Sequence, residues 1–98
     1  MKSILIIGAG AMGAAFSVPC IDNKHKVTLS EPFNFTLIKK IISNKRHHPS
    51  LKIKLHKNLI IKNFSDELLN KKWDLIVVAV SSIGIDLVRD CLTKLKYN

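Results

Sequence analysis

Cysteine is scarce in this sequence, and its placement excludes two kinds of site. Cys20 and Cys91 have no CxxC spacing, so neither a zinc ion nor a redox pair is indicated. Each is expected to fill a helix face as a small hydrophobe, which suits a reducing cytoplasm. The four histidines likewise lack the spacing of a metal-binding set. The sequence therefore predicts no metal site and a cytoplasmic location.

Acidic and aromatic residues are also few. Seven Asp and Glu stand against sixteen Lys and Arg, which gives a formal net charge of +9. Such an excess can indicate a nucleic-acid or membrane-surface partner. Most of the lysines, however, are spread through residues 39–96, and the six aromatic residues are not interleaved with them as a base-stacking platform requires. We therefore interpret the charge as a solvated surface and expect neither partner.

No uninterrupted hydrophobic run is long enough to span a membrane. The uncharged stretch 3–21 resembles a signal peptide at first sight, but three glycines and Pro19 break it. The apolar fraction is 47%, the mean hydropathy is positive, and no linker or repeat interrupts the chain. We therefore expect residues 1–98 to form one folded domain.

A glycine motif near the amino terminus is the most informative feature of the chain. The apolar segment Ile4–Ile7 leads into a GxGxxG motif whose residues are Gly8, Ala9, Gly10, Ala11, Met12 and Gly13. Between a strand and a helix, the first glycine permits a tight corner, the second lets a diphosphate approach the backbone, and the third lets the helix pack closely. Free N–H groups at the helix start would bind the phosphates. The motif predicts a dinucleotide-binding turn.

A carboxylate follows at the distance expected for recognition of the adenosine ribose. Glu31 comes 18 residues after the last glycine of the motif. An acidic residue there grips the ribose hydroxyls of NAD and would repel the 2′-phosphate of NADP. Ser30 beside it can donate a hydrogen bond to either cofactor. We expect NAD, with NADP as the open alternative, and a solvated loop glutamate is the other interpretation of Glu31.

Residues 45–51 form a basic, irregular loop after the second predicted helix. Together with Lys39, its residues Lys45 and Arg46 can turn towards a 2′-phosphate, which keeps NADP open as a cofactor. The segment 47–49, His-His-Pro, is expected either to close over the adenosine side or to be exposed.

Strand and helix patterns alternate along the chain, which is typical of a parallel sheet with crossover helices. Apolar runs predict strands at 2–8, 26–30, 59–62 and 75–80. Helical spacing predicts helices at 11–22, 34–44 and 84–96, and a short helix that has Ser65 as its N-cap. On the first helix we expect the sheet side to carry Met12, Ala15, Phe16, Pro19 and Cys20. Right-handed crossovers give the strand order 3-2-1-4, a Rossmann-type α/β sheet with helices on both faces.

The reversal of strand order predicts where a ligand binds. The carboxyl ends of strands 1 and 4 meet at that point. Val80, Ser81 and Ser82 lie at the end of strand 4, where they can reach the nicotinamide end of a bound dinucleotide. Capping of the last helix is the alternative role of the two serines. Trp73, before strand 4, is interpreted as a packing residue.

Further segments of the chain, taken in order, resemble one enzyme family. They are Val18-Pro19, Asp22-Asn23-x-His25-x-Val27-Thr28-Leu29, His48-Pro49-x-Leu51-x-Ile53-x-Leu55 and Val78-Ala79-Val80-Ser81-Ser82. Together with the glycine motif they resemble the amino-terminal domain of NAD(P)-dependent glycerol-3-phosphate dehydrogenases over nearly the whole chain. The resemblance implies a cytoplasmic oxidoreductase of glycerophospholipid metabolism that transfers hydride between NAD(P) and glycerol 3-phosphate or dihydroxyacetone phosphate.

The resemblance also implies roles for individual residues. The glycine motif would hold the diphosphate, Ser30, Glu31 and Phe33 would border the adenosine, and residues 80–82 would meet the ribose and the nicotinamide. The implied cofactor-binding set is Gly8, Ala9, Gly10, Ala11, Met12, Gly13, Ser30, Glu31, Phe33, Val80, Ser81 and Ser82. The segment Ser30-Glu31-Pro32 departs from the aromatic, glycine and basic or polar residues that relatives often carry there, and this departure bears on the choice between NAD and NADP.

In that family, the catalytic lysines and the helical substrate domain lie downstream of the matched region. We therefore expect this chain to bind the dinucleotide, to carry no catalytic residue, and to be inactive alone as a fragment. Its expected partner is the carboxyl-terminal domain, packed on an exposed apolar surface of the last helix or the sheet edge, and a homodimer through exposed surface is also possible. The same pattern leaves open a ketopantoate reductase, a 3-hydroxyacid dehydrogenase and a non-catalytic nucleotide-sensing module.

Overall fold

The structure, a computed structural model, describes residues 1–49, 51 and 53–80. Its strands are β1 (Ser3–Ile7), β2 (Lys26–Glu31), β3 (Ile60–Asn63) and β4 (Leu75–Val78). Its helices are α1 (Ala11–Asp22), α2 (Phe35–Ser43) and a 3₁₀ helix (Asp66–Asn70). These elements agree with the predicted ones, with ends shifted by one or two residues. The predicted helix at 84–96 and the serines Ser81 and Ser82 lie outside the described residues.

The four strands form one parallel sheet in the order β3-β2-β1-β4. At the carboxyl end of β1, Ile7 aligns with Ser30 of β2 on one side and with Val78 of β4 on the other. The chain order therefore reverses at β1, where an open α/β sheet leaves a crevice for ligands. The predicted Rossmann-type fold with the order 3-2-1-4 is confirmed.

Side chains of the sheet alternate between two apolar cores, as the period of a strand requires. The core beneath α1 and α2 includes Ile4, Ile6, Val27, Leu29, Ile38 and Ile41. The core on the other face includes Leu5, Ile7, Leu68 and Trp73. Trp73 is buried, and its indole Nε1 donates a hydrogen bond of 2.8 Å to the carbonyl oxygen of Leu68. Its predicted packing role is confirmed, and the 3₁₀ helix contributes Leu68 to this second face.

The rotation of α1 about its axis differs from the expected one. The buried residues of the helix are Gly13, Ala14, Ser17 and Cys20. Met12 and Phe16 instead lie on the outer side, 75% and 41% exposed, and Ala15 and Pro19 are exposed with them. The prediction failed because α1 is apolar on both sides, so hydrophobicity alone does not specify which side faces the sheet. The position of Gly13, described below, does specify it.

Two smaller expectations have different outcomes. Cys20 is a buried free cysteine, and burial raises the pKa of its thiol, which agrees with a packing role. Ser65 precedes the 3₁₀ helix, but its side chain makes no capping hydrogen bond. The N–H of Leu68, a donor that such a cap would use, donates instead to the backbone carbonyl of Ser65.

None of the helices formed by the described residues combines the length and the apolar character needed to cross a membrane. In the same part of the chain, no three His, Cys, Asp or Glu side chains are grouped so that they could hold a metal ion.

Candidate functional site

Gly8 and Gly13 are required by the packing of the protein itself. Gly8 has a φ of 118°, a conformation that L side chains rarely adopt, and a Cβ there would meet the carbonyl group of Ala79 and lie 3.1 Å from a methyl of Val80. A Cβ on Gly13 would overlap the carbonyl oxygen of Gly8. The tight corner and the close helix-to-strand packing that the motif predicts are therefore present.

Gly10 is different, because among the residues that the structure describes, no atom beyond its chain neighbours and its own helix lies within 4 Å of the position that a Cβ would take. Its φ of −66° is also open to any residue. Gly10 is exposed at the start of α1, so its lack of a side chain leaves bare backbone facing open space. This is the geometry expected where a diphosphate approaches the main chain.

The amino terminus of α1 has N–H groups for which the described residues provide no main-chain acceptor. Its first hydrogen bond of the helical kind runs from the N–H of Ala14 to the carbonyl of Gly10, at 3.0 Å, so the preceding N–H groups have no acceptor within the helix. The N-cap is Gly10, without a capping side chain, and the first turn contains no acidic residue. The exposed residues Ala11 and Met12 belong to this turn. With the positive end of the helix dipole, these groups can bind an anion.

Glu31 lies at the carboxyl end of β2 and is only 7% exposed. Its Oε1 accepts a hydrogen bond from the N–H of Ala9 at 2.8 Å, and its Oε2 accepts from those of Phe33 and Asn34 at 3.0 Å each. A carboxylate offers about four acceptor positions, so about one remains. Glu31 therefore anchors the glycine turn to the loop before α2. A hydrogen bond from a ribose hydroxyl to Glu31 stays a prediction, and it would have to use the remaining acceptor position of the carboxylate.

Ser30 and Ala9 are turned inward, in contrast to their expected contact with a ligand. Ser30 is fully buried, and its hydroxyl donates a hydrogen bond of 2.8 Å to the carbonyl of Ile6. Successive residues of a strand point to opposite faces, so the side chains of Ser30 and Glu31 leave β2 in opposite directions. Ala9 is also fully buried, and its N–H is already donated to Glu31. Both residues therefore support the turn from inside.

Of the two expectations for the segment 47–49, exposure is wrong at His48, and closure over the adenosine side stays a prediction. This side chain is buried, and its Nε2 lies 2.8 Å from the carbonyl oxygen of Ala9 in the glycine turn, whereas its neighbour His47 is exposed. The guanidinium of Arg46 donates to the carbonyls of His56 and Leu59, so it is not turned towards a ligand phosphate. Sequence reasoning missed the role of His48 because nothing local indicates which group a buried histidine contacts.

Phe33 and Val80 lie at the same edge of the sheet as the turn. Phe33 is exposed just after β2, next to Glu31, and half-buried Val80 comes close to Gly8. The structure thus brings the glycine turn, the end of β2 and the end of β4 together. Of the predicted residues, Ser81 and Ser82 are outside the described part of the chain.

A parallel sheet with its order reversed at β1, a glycine corner and bare N–H groups at the start of α1 define a class. This class is the Rossmann-type NAD(P)-binding domain, and the residues present fit a dinucleotide because the space beside Gly10 is open.

Comparison with known proteins places the chain within a particular family. The family described as "NAD-dependent glycerol-3-phosphate dehydrogenase N-terminus" matches residues 3–97, and the chain belongs to that family. It is 38% identical over 85 residues to the NADP(+)-dependent glycerol-3-phosphate dehydrogenase of Archaeoglobus fulgidus. The aligned residues are 84% of this chain and 24% of that relative, so the chain spans about a quarter of the relative's length. The resemblance seen in the sequence is confirmed.

Replacing Gly10 by alanine should mainly weaken NADH binding, whereas replacing Gly13 by alanine should mainly destabilise the fold. A methyl at Gly10 meets no atom of the neighbouring described residues, so the free energy of unfolding should change by about 1 kcal/mol or less. The same methyl would stand where a diphosphate approaches, so affinity for NADH should fall about tenfold or more. A methyl at Gly13 overlaps the Gly8 carbonyl and should destabilise the fold by about 1–3 kcal/mol or more. Urea unfolding and NADH fluorescence titration measure these effects.

The matched control is Ala15→Ser, on the exposed side of the same helix, which should change neither quantity. A Gly10→Ala chain that bound NADH as tightly as the unaltered chain would contradict the assignment of Gly10 to the diphosphate.

Replacing Glu31 by glutamine should weaken the fold. The amide nitrogen of the glutamine would face main-chain N–H donors, so at least one bond is lost and a buried donor is left unpaired, which costs about 1–3 kcal/mol. Glu67→Gln removes the same charge from an exposed position and should cost less than about 0.5 kcal/mol. Urea unfolding compares the two variants, and equal stability would argue against the anchoring role.

Proposed function

We propose that this chain forms the cofactor-binding half of an enzyme that transfers hydride between NAD(P) and glycerol 3-phosphate or dihydroxyacetone phosphate. The family membership of residues 3–97 carries this proposal, together with the open, unpaired N–H groups at the start of α1. The bound cofactor supplies the hydride chemistry. The residues of this chain hold its diphosphate and orient it.

We propose further that residues 1–98 form one domain and that the chain alone does not catalyse the reaction. Among the described residues, the ionisable side chains of Glu31 and His48 contact the turn, and both are buried and bonded to main-chain groups. Neither is therefore placed to exchange a proton with a substrate. Because the relative from Archaeoglobus is about four times as long as the aligned region, we infer that substrate binding and proton transfer belong to a further domain.

The exposed apolar residues on the outer side of α1 are evidence for a partner domain. Met12, Ala15, Phe16 and Pro19 recur at helical spacing and are all exposed, which forms an apolar stripe next to the glycine turn. Leu75, on the edge strand β4 of the described sheet, is also 46% exposed. The sheet edge was an expected place for such a surface, and the α1 stripe was not. We propose that the carboxyl-terminal domain of the enzyme packs on the stripe.

The 98-residue chain should bind NADH and show no turnover. Binding is measured by NADH fluorescence, and turnover by the absorbance of NAD(P)H with dihydroxyacetone phosphate as substrate. The full-length Archaeoglobus relative, assayed alongside, is the positive control. Steady turnover by the short chain would contradict the assignment of catalysis to another domain, and absence of dinucleotide binding would contradict the proposed function as a whole.

We also propose that the chain prefers NAD to NADP. The carboxylate of Glu31 stands at the end of β2, where it would repel a 2′-phosphate, and Arg46 is turned away to main-chain carbonyls. The matching family is described as NAD-dependent, whereas the Archaeoglobus relative is described as NADP-dependent.

Dissociation constants for NADH and NADPH should therefore differ in favour of NADH, by about tenfold, which corresponds to about 1.4 kcal/mol. Both constants are measured on the unaltered chain by the same fluorescence titration. Tighter binding of NADPH by that factor would overturn the argument from Glu31.

A further inference from the structure

His48 reaches the glycine turn although it lies 39 residues away from Ala9 in the sequence. Its side chain is 3% exposed, and the 2.8 Å contact joins its Nε2 to the carbonyl oxygen of Ala9. A carbonyl oxygen only accepts hydrogen bonds, so Nε2 carries the shared hydrogen and donates it. His48 therefore holds the Ala9 carbonyl from the buried side of the turn.

The held carbonyl determines where the next N–H points. The C=O of Ala9 and the N–H of Gly10 belong to one planar peptide unit, and in a trans peptide they point in opposite directions. The described residues contain no cis peptide bond. With its carbonyl directed inward at His48, this unit directs the N–H of Gly10 outward. In the described part of the chain no main-chain carbonyl accepts that N–H, and the space beside Gly10 is open.

The peptide unit on the other side of Ala9 is held as well. Its N–H donates to the carboxylate of Glu31 at 2.8 Å. Without these two contacts, the glycines on either side of Ala9 would allow the backbone to rotate, because glycine adopts many conformations. A rotated Ala9–Gly10 peptide would present a carbonyl oxygen, instead of an N–H, to a negatively charged diphosphate. Holding the turn in one orientation before the ligand arrives reduces the free-energy cost of binding.

We propose that His48 is a positioning residue for dinucleotide binding, which keeps the Ala9–Gly10 peptide oriented so that the N–H of Gly10 faces the diphosphate. This inference deepens the proposed function and rests on the diphosphate binding at the turn. The proposal assigns a role in diphosphate binding to a buried histidine that lies outside the glycine motif.

The test compares His48→Leu, which has no donor, with His48→Gln, whose side-chain amide reaches the position of Nε2. The ligands are NADH and ADP-ribose, which contain the diphosphate, and adenosine, which does not. For His48→Leu, affinity for NADH and ADP-ribose should fall about tenfold, while affinity for adenosine changes less than about twofold. His48→Gln should restore most of the loss. His47→Leu, at the exposed neighbouring position, is the matched control and should bind all three ligands normally.

A spectroscopic measurement on the ligand-free chain separates orientation from general stability. The carbonyl ¹³C resonance of Ala9 and the amide resonance of Gly10 should shift in His48→Leu and return in His48→Gln. Resonances that stay unchanged in His48→Leu would overturn the proposal, since its basis is the bond to Ala9.

Each binding result has one meaning. If the unaltered chain binds neither NADH nor ADP-ribose, the proposed function fails. If it binds both and His48→Leu binds them equally well, only the role of His48 fails, and an equal loss for adenosine also overturns it. If His48→Leu does not fold, His48→Gln is compared with His48→Asn, whose shorter amide cannot reach Ala9. Tighter diphosphate binding by the glutamine variant then supports the proposal, and equal binding overturns it.

Discussion

The close approach of α1 to β1 is the constraint on which the rest of the structure depends. Because a methyl at position 13 would overlap the carbonyl of Gly8, the helix can pack this near only with Gly13 turned towards the strand. That contact fixes the rotation of α1, so Ser17 and Cys20 face the sheet while Met12 and Phe16 face outward. The same contact aims the positive end of the helix at the crevice between β1 and β4.

Buried polar side chains, in addition to the glycines, hold the glycine turn in place. A carboxylate removed from water costs several kcal/mol unless it is hydrogen-bonded, and the three N–H groups around Glu31 offset much of that cost. His48, from the loop after α2, donates a hydrogen bond to the carbonyl of Ala9. The N–H and the carbonyl of Ala9 in the glycine turn are thus both paired, whereas no main-chain carbonyl in the described part of the chain accepts the N–H of Gly10.

The parts of the molecule that follow local rules could be predicted from the sequence. Apolar runs located the strands, helical spacing located the helices, and right-handed crossovers then gave the strand order. The glycine motif located the turn and, with the other segments, the family. The rotation of α1 could not be predicted, because its apolar residues surround the axis. Nor could the inward direction of Ser30, the three contacts of Glu31 or the bond of His48, since these depend on side-chain directions and on residues distant in sequence.

The central place of β1 has a consequence for how the chain is made. Its two neighbours emerge from the ribosome at very different times, because β2 follows directly whereas β4 begins at Leu75. Ser3 and Asp74, which exchange hydrogen bonds at the start of these strands, are 71 residues apart. Until β4 has been synthesised, one edge of the strongly apolar strand β1 is open to pairing with other nascent chains. The order of synthesis therefore leaves the β4 side of β1 unpaired until residues 75–78 have been made.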